Sequence, residues 1–415
     1  MDNFLFFPAS SIIQTDKEKF RLVNIYGGVF NLQFPHIAVY LSQPEEIDNP
    51  ENLEHLGISP KDYQFVLRDL LDHKVVYPSR IKMDLPFDKS QVLSQILNFP
   101  FTQSRTLNIG DVTLELTQSC PYSCEGCFRE INEDQLTNSA RLEGLVDELS
   151  LMGLSKISLS GGEITSSERS FDRFKQLAKY IRQHPQIKIR LLTTGFNPER
   201  VNEALDYIDE IQISVDGLEA AHDSYKRVGG AFRKAIDSIE SCQESKVTLT
   251  TNTVVSQRNI GEVSSLIDYL SRFKIDTLRI TKILSDKEHL RLGVKEAQDL
   301  YGVVQRKQKE HPNLRIINAY GNCTDVLNCV GGMVYAHIGA TGNVFPCDYD
   351  IHNSGGNINN SPFQDIWTNS EVFHAYRNVT GIQDGCIDCQ SRVFCFGNCR
   401  IDQQYVEITK MCENK

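Results

Sequence analysis

From about residue 110 to 310 the apolar and polar positions fall into short strand-type runs alternating with longer helix-type runs. Val112-Thr113-Leu114-Glu115-Leu116, Lys156-Ile157-Ser158-Leu159 and Lys188-Ile189-Arg190-Leu191-Leu192 read as strands. So do Glu210-Ile211-Gln212-Ile213-Ser214, Val247-Thr248-Leu249-Thr250 and Thr277-Leu278-Arg279-Ile280. The runs Ala140 to Met152, Phe171 to Gln183, Pro198 to Tyr207, Ala231 to Glu244, Ile260 to Phe273 and Lys295 to Glu310 read as the helices that follow them. A strand followed each time by a helix predicts a parallel sheet with right-handed crossovers. Six units are too few to close an eight-stranded barrel. The expected fold is therefore α/β, a partial (β/α)6 parallel barrel over residues 109–310.

The flanks have a different texture. In residues 1–85, Phe20 to Tyr26, Gly27-Gly28 and Val29 to Leu32 predict a β-hairpin. Helical patterns follow at His36 to Ser42, Pro50 to Leu56 and Pro60 to Lys74, the last opened by Ser59 as N-cap with Pro60 in the first turn. Val75 to Pro78 is a candidate closing strand. Together these predict a winged-helix-like module. Residues 86–108 read as a linker with one helical segment, Gln91 to Leu97. After about residue 312 Gly, Asn and Cys become frequent and regular structure is expected to thin out. Residues 311–415 are expected to lack a large apolar core, with metal ligation supplying the missing stability.

The formal net charge of −11 argues against a nucleic-acid partner, which needs surplus Lys and Arg. Met1-Asp2-Asn3 lacks the positive start of a signal peptide, and no apolar run approaches about 18 residues, so no membrane partner and a cytoplasmic location are expected. Reduced thiols are the rule in that compartment, so grouped cysteines read as metal ligands before disulfides.

Eleven of the 12 cysteines are grouped. Cys120-x3-Cys124-x2-Cys127 follows the first predicted strand. Cys323, Cys329, Cys347, Cys386, Cys389, Cys395, Cys399 and Cys412 lie near the C-terminus. Cys242 sits alone in a helical run and reads as a plain buried cysteine. Three thiolates from one loop suit an iron–sulfur cluster with one iron left open, and eight suit two fully ligated clusters. Zinc sites are the alternative for both groups. Polar and glycine-rich motifs also end the predicted strands: Gly161-Gly162-Glu163, Thr193-Thr194-Gly195-Phe196-Asn197, Ser214-Val215-Asp216-Gly217 and Thr251-Asn252-Thr253. Parallel β/α folds bind ligands at that rim.

The Cys120-x3-Cys124-x2-Cys127 loop, followed in order by Gly161-Gly162-Glu163, Asn197 and Ser214-Val215-Asp216-Gly217, resembles the radical S-adenosylmethionine (radical SAM) family. Cys329, Gly342, Cys347, Cys386-x2-Cys389-x5-Cys395-x3-Cys399 and Cys412 resemble its SPASM extension. The resemblance implies a four-iron cluster on Cys120, Cys124 and Cys127 whose open iron takes the methionine end of SAM. It implies that Gly161, Gly162 and Glu163 hold the SAM ammonium, that Ser214 and Asp216 lie near its ribose or carboxylate, and that Arg227 meets the carboxylate. Asn197 and Thr253 are further SAM contacts by the same resemblance. One auxiliary four-iron cluster would sit on Cys323, Cys329, Cys347 and Cys399, and the other on Cys386, Cys389, Cys395 and Cys412. Two positions depart from the family pattern. Gly126 stands where an aromatic often precedes the third cysteine, and Ile164 where Pro often follows Gly-Gly-Glu.

Asp348, next to Cys347, matches a carboxylate that takes a substrate proton in the sulfatase-maturing branch; a side chain that fixes the cluster loop is the alternative. The N-terminal module resembles leader-peptide recognition elements, with a DNA-binding winged helix or a structural cap as alternatives. The implied function is that of a peptide maturase. SAM is cleaved to a 5′-deoxyadenosyl radical, a hydrogen is taken from a residue of a ribosomally made precursor peptide, and a crosslink (thioether, carbon–carbon or carbon–oxygen) or an oxidised side chain results. An electron donor such as flavodoxin or ferredoxin is implied as a partner. Formylglycine formation, or a non-catalytic metal-binding scaffold with a peptide- or DNA-binding head, are the alternatives.

Overall fold

The computed structural model describes residues 4–6, 9–14, 19–24, 29–33, 58–72, 77–79, 105–106, 109–127, 129, 136–285, 287–318, 331–377 and 401. The predicted helices at His36 to Ser42, Pro50 to Leu56 and Gln91 to Leu97 lie outside these residues.

At the N-terminal end, the strands are β1 Phe4–Phe6, β2 Ala9–Gln14, β3 Lys19–Asn24, β4 Val29–Gln33, β5 Tyr77–Ser79 and β6 Arg105–Thr106. The expected hairpin is the antiparallel β3–β4 pair, and it belongs to a four-stranded sheet of order β4-β3-β2-β6. Residues read as linker thus supply an edge strand, Arg105–Thr106, and β5 pairs with β1 instead of with the hairpin. The helix Pro60–Asp72 starts where Ser59 and Pro60 predict, with Asp62 N donating to Ser59 Oγ at 3.2 Å.

The larger sheet starts with β7 Asp111–Thr117, β8 Lys156–Gly161, β9 Lys188–Thr193, β10 Glu210–Ser214, β11 Thr248–Val255 and β12 Thr277–Lys282. These are the six expected strands, and each pairs in parallel with the next. β13 Arg315–Asn318 adds in parallel beside β12, and β14 Tyr335–Ile338 adds in parallel beside β7. β15 Asn343–Phe345 and β16 Gly356–Asn357 extend that edge antiparallel.

From β7 to β13 the strand order follows the chain order without reversal, so right-handed crossovers put the helices on one face. That face carries the apolar half of each strand: Val112, Leu114 and Leu116; Ile157 and Leu159; Ile189 and Leu191; Ile211 and Ile213; Leu278 and Ile280 are all buried. Helices dock with residues at helical spacing, such as Leu142, Leu145, Val146 and Leu149 from Ser139–Leu151, and Phe171, Phe174, Leu177, Ala178 and Ile181 from Glu168–Ile181. Replacing one such side chain, for example Leu145→Ala, is expected to cost about 2–5 kcal/mol.

Three expectations are corrected. An extra helix, Glu219–Lys226, stands between β10 and the helix Ala231–Ser241. β11 runs on to Val255, so Thr251-Asn252-Thr253 lies inside the strand and not at its end. Regular structure also continues in the described part of the chain after residue 312. Residues 331–377 hold three strands and the helices Phe363–Asn369 and Glu371–Arg377. Phe363, Trp367 and Phe373 are fully buried and join the main core, with ring centroids 6.0 and 5.0 Å apart along the series. Each helix has seven residues, too short for a periodic signal, so the aromatic core passes unseen in the sequence. Among the described residues no helix is long and apolar enough to cross a membrane.

Candidate active site at the mouth of the half-barrel

Cys120 to Cys127 leaves the C-terminal end of β7 and lies against the turn that ends β8. Gly162 N donates to Thr117 O at 2.8 Å, and Glu163 N donates to Ser119 O at 2.8 Å. Backbone thus packs directly on backbone. A Cβ on Gly162 would sit 2.1 Å from Ser119 O. One on Gly161 would sit 2.3 Å from Thr117 O, at a φ of +146° that disfavours any side chain. The glycine pair is required because it seats the cysteine loop.

The loop is also pinned on its far side. Glu125 pairs with Arg258 at 2.8 Å and with His289 at 3.0 Å, and Lys287 Nζ donates to its carbonyl at 2.6 Å. These three residues come from the loops after β11 and β12, so the cysteine loop is tied across the mouth. Tyr122 is buried with its ring edge-on to Phe196 at 5.6 Å. At Gly126, where the family often has an aromatic, a Cβ would meet the end of the Ile283 side chain at 2.4 Å and Tyr225 Oη at 3.1 Å, so a larger residue needs Ile283 to move.

Glu163 is buried, and its carboxylate accepts five hydrogen bonds. Oε1 receives Thr165 N (2.9 Å), Thr165 Oγ1 (2.7 Å) and Thr193 Oγ1 (2.7 Å). Oε2 receives Thr194 N (2.6 Å) and Thr194 Oγ1. Its lone pairs are committed to joining the turns after β8 and β9. Asp216 is likewise buried. Its Oδ1 accepts from Val254 N at 2.8 Å, and its Oδ2 pairs with Lys226 Nζ at 2.8 Å.

The expected cation, Arg227, is exposed at the C-cap of Glu219–Lys226, with φ +57°. Lys226, one residue earlier, is the cation that faces the cysteine loop. Burial opposes its charge, but Asp216 and the nearby Cys124 outweigh this and hold the ammonium well above the usual lysine range. The reason is helical rotation: Lys226 shares a face with buried His222, four residues earlier, and Arg227 is turned about 100° away. That spacing is the sequence signal that finds Lys226.

The remaining predicted SAM contacts have mostly local partners. Asn197 N-caps the helix Pro198–Ala204, accepting from Arg200 N at 3.0 Å. Thr253 is fully buried on the helix-covered face and donates to Val215 O at 2.7 Å. Ser214 is half-buried at the end of β10, on the face away from the helices.

That second face is mostly polar, with Leu192 and Val254 as apolar exceptions. Asp111, Thr113 and Glu115 alternate with the buried apolar residues of β7, as do Ser158 and Ser160 on β8, Arg190 on β9, Gln212 and Ser214 on β10, Asn252 on β11, and Arg279 and Thr281 on β12. Parallel strands covered on both faces are apolar throughout, so this alternation marks a face left open by the helices. Residues 335–348 close one side of it. Asp348 Oδ1 accepts from Tyr335 Oη at 2.5 Å and from His337 Nδ1 at 2.8 Å. His337 Nε2 lies 3.5 Å from Glu115, which pairs with Arg129 at 2.6 Å. Arg129 also donates to Gly161 O and to Ser160 Oγ, linking this network to the cysteine loop. Burial raises the Asp348 pKa, but His337, Tyr335 and Arg129 outweigh that and hold it below the usual carboxylate range. Asp348 is therefore ionised at neutral pH, with about a third of its side chain accessible.

Of the other predicted ligands, Cys347 is half-buried beside Gly331, and Cys323, Cys329, Cys386, Cys389, Cys395, Cys399 and Cys412 lie outside the described residues. Cys242 is buried, donates to Ser238 O at 3.2 Å, and has its pKa pushed up to about 11 by burial, as an inert thiol should.

The cysteine loop fits an iron–sulfur cluster. Burial first, and the neighbouring acidic groups after it, push the Cys120 thiol up to about 11; burial also raises Cys124. Thiolates so disfavoured in the empty loop are held as ligands when a metal supplies the countercharge. Lys226 adds a fixed positive charge beside them.

Comparison with known proteins agrees. Residues 114–270 match the radical SAM superfamily, and residues 329–390 match SPASM, an iron–sulfur cluster-binding domain. An AdoMet-dependent heme synthase of Methanosarcina barkeri is 25% identical over 323 residues, covering 70% of this chain and 90% of that protein. The mycofactocin maturase MftC of Mycolicibacterium smegmatis is 24% identical over 314 residues, covering 69% and 77%. The structure of Streptococcus suis SuiB bound to precursor peptide SuiA superposes with a TM-score of 0.65 at 14% identity, covering 94% of each chain.

Proposed function

Because the chain carries a radical SAM domain and an iron–sulfur SPASM domain, and is therefore an enzyme that binds SAM and iron–sulfur clusters, we propose that it matures a ribosomally made precursor peptide. The observation that carries this is the polar face of the sheet left open by the helices, with Asp348 and His337 at one side of it, which we read as the wall of a substrate chamber. When bound, a cluster with SAM supplies one-electron cleavage of the sulfonium and hydrogen-atom abstraction. The chain's own part is to place the peptide carbon, exclude water and move a proton.

In this reading Cys120, Cys124 and Cys127 hold the SAM-binding cluster. Lys226, in place of Arg227, meets the SAM carboxylate. Gly161 and Gly162 bring main-chain carbonyls within reach of the SAM ammonium, and Glu163 fixes their turn. Ser214 faces the ribose. Asn197 and Thr253 act through main-chain position, since their side chains have local partners. Asp348 is the base that accepts a substrate proton, and its contact with His337 offers a route onward. Cys323, Cys329, Cys347 and Cys399 would hold one auxiliary four-iron cluster and Cys386, Cys389, Cys395 and Cys412 a second, three clusters in all with that on the cysteine loop, and the auxiliary pair would supply a sink for the surplus electron. Flavodoxin or ferredoxin is the proposed reductant, and the cytoplasm the proposed location.

Residues 1–85 are proposed to bind the leader as an added strand on the β4 edge of the N-terminal sheet. The heme synthase and MftC matches leave about 30% of this chain uncovered, whereas the peptide-bound SuiB fold covers nearly all of it. The test is anaerobic reconstitution with iron, sulfide, SAM and dithionite, followed by mass spectrometry of a co-expressed peptide encoded beside the gene. Formation of 5′-deoxyadenosine together with a mass change in the peptide is expected. Iron-loaded protein that forms none would overturn the enzyme reading, and an unchanged peptide would overturn the substrate.

A further inference from the structure

Apart from the solvent-exposed Lys188 and Arg315 at the strand starts, the charged groups on the open face of the sheet are paired, with one exception among the described residues. Lys156 and Arg190 both reach Glu210, at 2.8 and 2.9 Å. Arg190 also stands 3.9 Å from Asp111, and Arg129 holds Glu115. Arg279 has no such partner. It sits in mid-strand on β12, between the fully buried Leu278 and Ile280, in register with Asn252 of β11 and Ile317 of β13. Its Nε is buried and makes no hydrogen bond.

Burial and Arg190 both act against its charge, whereas Tyr349, Asp348 and Asp111 attract it. Arg279, on β12, thus shares this face with the Asp348–His337 pair, which lies beyond β7 toward the other end of the strand order. A cation kept in so unfavourable a place is offset when an anion arrives, because an ion pair inside a chamber repays desolvation only once it is formed.

We propose that Arg279 is a substrate-recognition residue that takes a carboxylate of the peptide, either an acidic side chain or a free C-terminus, and so sets which residue lies beneath the cysteine loop. This rests on the reading of the chamber as the peptide site. The guanidinium fork pairs with a carboxylate in two parallel hydrogen bonds. A phosphate dianion suits the site less, because Asp348 and Asp111 lie close by. The methionine carboxylate of SAM is the other source of the same chemistry. Thr281 and Lys282 separate Arg279 from the rim, whereas Lys226 is already beside Cys124, so the position favours the substrate.

The probes are fluorescein-labelled alanine peptides with one central glutamate, its glutamine twin, and a free-acid version of the twin, titrated by anisotropy into the reconstituted full chain with SAM. The wild type should bind a carboxylate peptide about tenfold or more tightly than the neutral twin. Arg279→Gln should lose that preference, Arg279→Lys should keep part of it, and SAM affinity and 5′-deoxyadenosine formation should not change. Arg279→Gln should also leave thermal stability level or higher, where loss of a structural arginine would lower it. No acid preference in the wild type overturns the proposal, as does a preference that survives Arg279→Gln. A tenfold loss of SAM affinity in Arg279→Gln assigns the cation to the cosubstrate and overturns it too. Failure of the maturase reading is seen separately, as absent 5′-deoxyadenosine in the wild type.

Discussion

Replacing Lys226 by Met keeps the length of the side chain and removes its charge. In the wild type Nζ lies 2.8 Å from Asp216 Oδ2, with the two side chains 5% and 1% exposed. The variant strands the Asp216 carboxylate in the interior. Removing one partner of a buried ion pair costs about 3–5 kcal/mol. Asp216 keeps its bond from Val254 N, so about 3 kcal/mol, the lower end, is expected. Urea unfolding of the reduced, cluster-free chain at neutral pH measures this, provided the slope is unchanged between variants. Adding Asp216→Asn to Lys226→Met should recover most of the loss, because no isolated charge then remains. The lysine pKa is raised in the folded chain, so the stabilisation is complete below the ordinary lysine value of about 10.5 and is lost only as pH rises above it. The gap between wild type and variant should therefore be level from pH 6 to about 9. In the reconstituted enzyme the same variant should weaken SAM binding about tenfold or more. A variant within about 1 kcal/mol of wild type that binds SAM normally would refute both the buried pair and its proposed role.

Three further outcomes are expected. Gly162→Ala would place a Cβ 2.1 Å from Ser119 O, where only backbone can yield; about 1–3 kcal/mol of destabilisation and reduced iron per chain are expected, and full iron loading counts against the seating argument. His222 is buried neutral, its Nδ1 accepting from Asp216 N, and burial with Lys226 lowers its pKa from 6.5 to about 4. The unfolded chain binds the extra proton between those values, so stability should fall by about 3 kcal/mol from this group as pH drops through the window. His222→Asn should remove that part of the slope, and an identical slope in unfolding titrations counts against it. Asp348→Asn should leave 5′-deoxyadenosine formation intact and lower peptide product about 10²- to 10⁴-fold, whereas unchanged product in a mass-spectrometric time course makes the residue a brace for the network of Tyr335 and His337.

The parts of this site carried by local sequence are legible in it. The strand starts are within a residue or so of where the apolar runs place them, and the cysteine loop and Gly-Gly pair are recognisable because one short segment holds each. What escapes depends on neighbours distant in the chain. Glu163 meets Thr193 and Thr194 about thirty residues on, and nothing in Gly161-Gly162-Glu163 itself reveals that its carboxylate is already saturated. The choice of Lys226 over Arg227 is a matter of rotation within one turn. Two adjacent cations look alike in sequence, and only the period set by His222 separates them. The aromatic core of residues 363–373 was missed for a third reason: the glycine- and cysteine-rich composition of the region masks two short helices whose buried side lies against Ser139–Leu151 and the sheet.

The open face of the sheet joins these points. A strand order that does not reverse from β7 to β13 leaves no helix of those crossovers for that face, so each of its positions must be solvated, paired or reserved for a ligand. Asp111, Glu115, Lys156, Arg190 and Glu210 are paired with one another or with Arg129, and Thr113 is engaged by Tyr335. Pairing among like-minded neighbours explains a stable wall but not a chamber. A chamber that serves chemistry also needs groups whose partners arrive from outside, and those are the thiols of the cysteine loop at its mouth and the guanidinium of Arg279 on its wall. Their separation along the strand direction, rim against mid-strand, fits two ligands entering one space. On the proposal for Arg279, the mouth goes to the cosubstrate and the wall to the molecule that is changed.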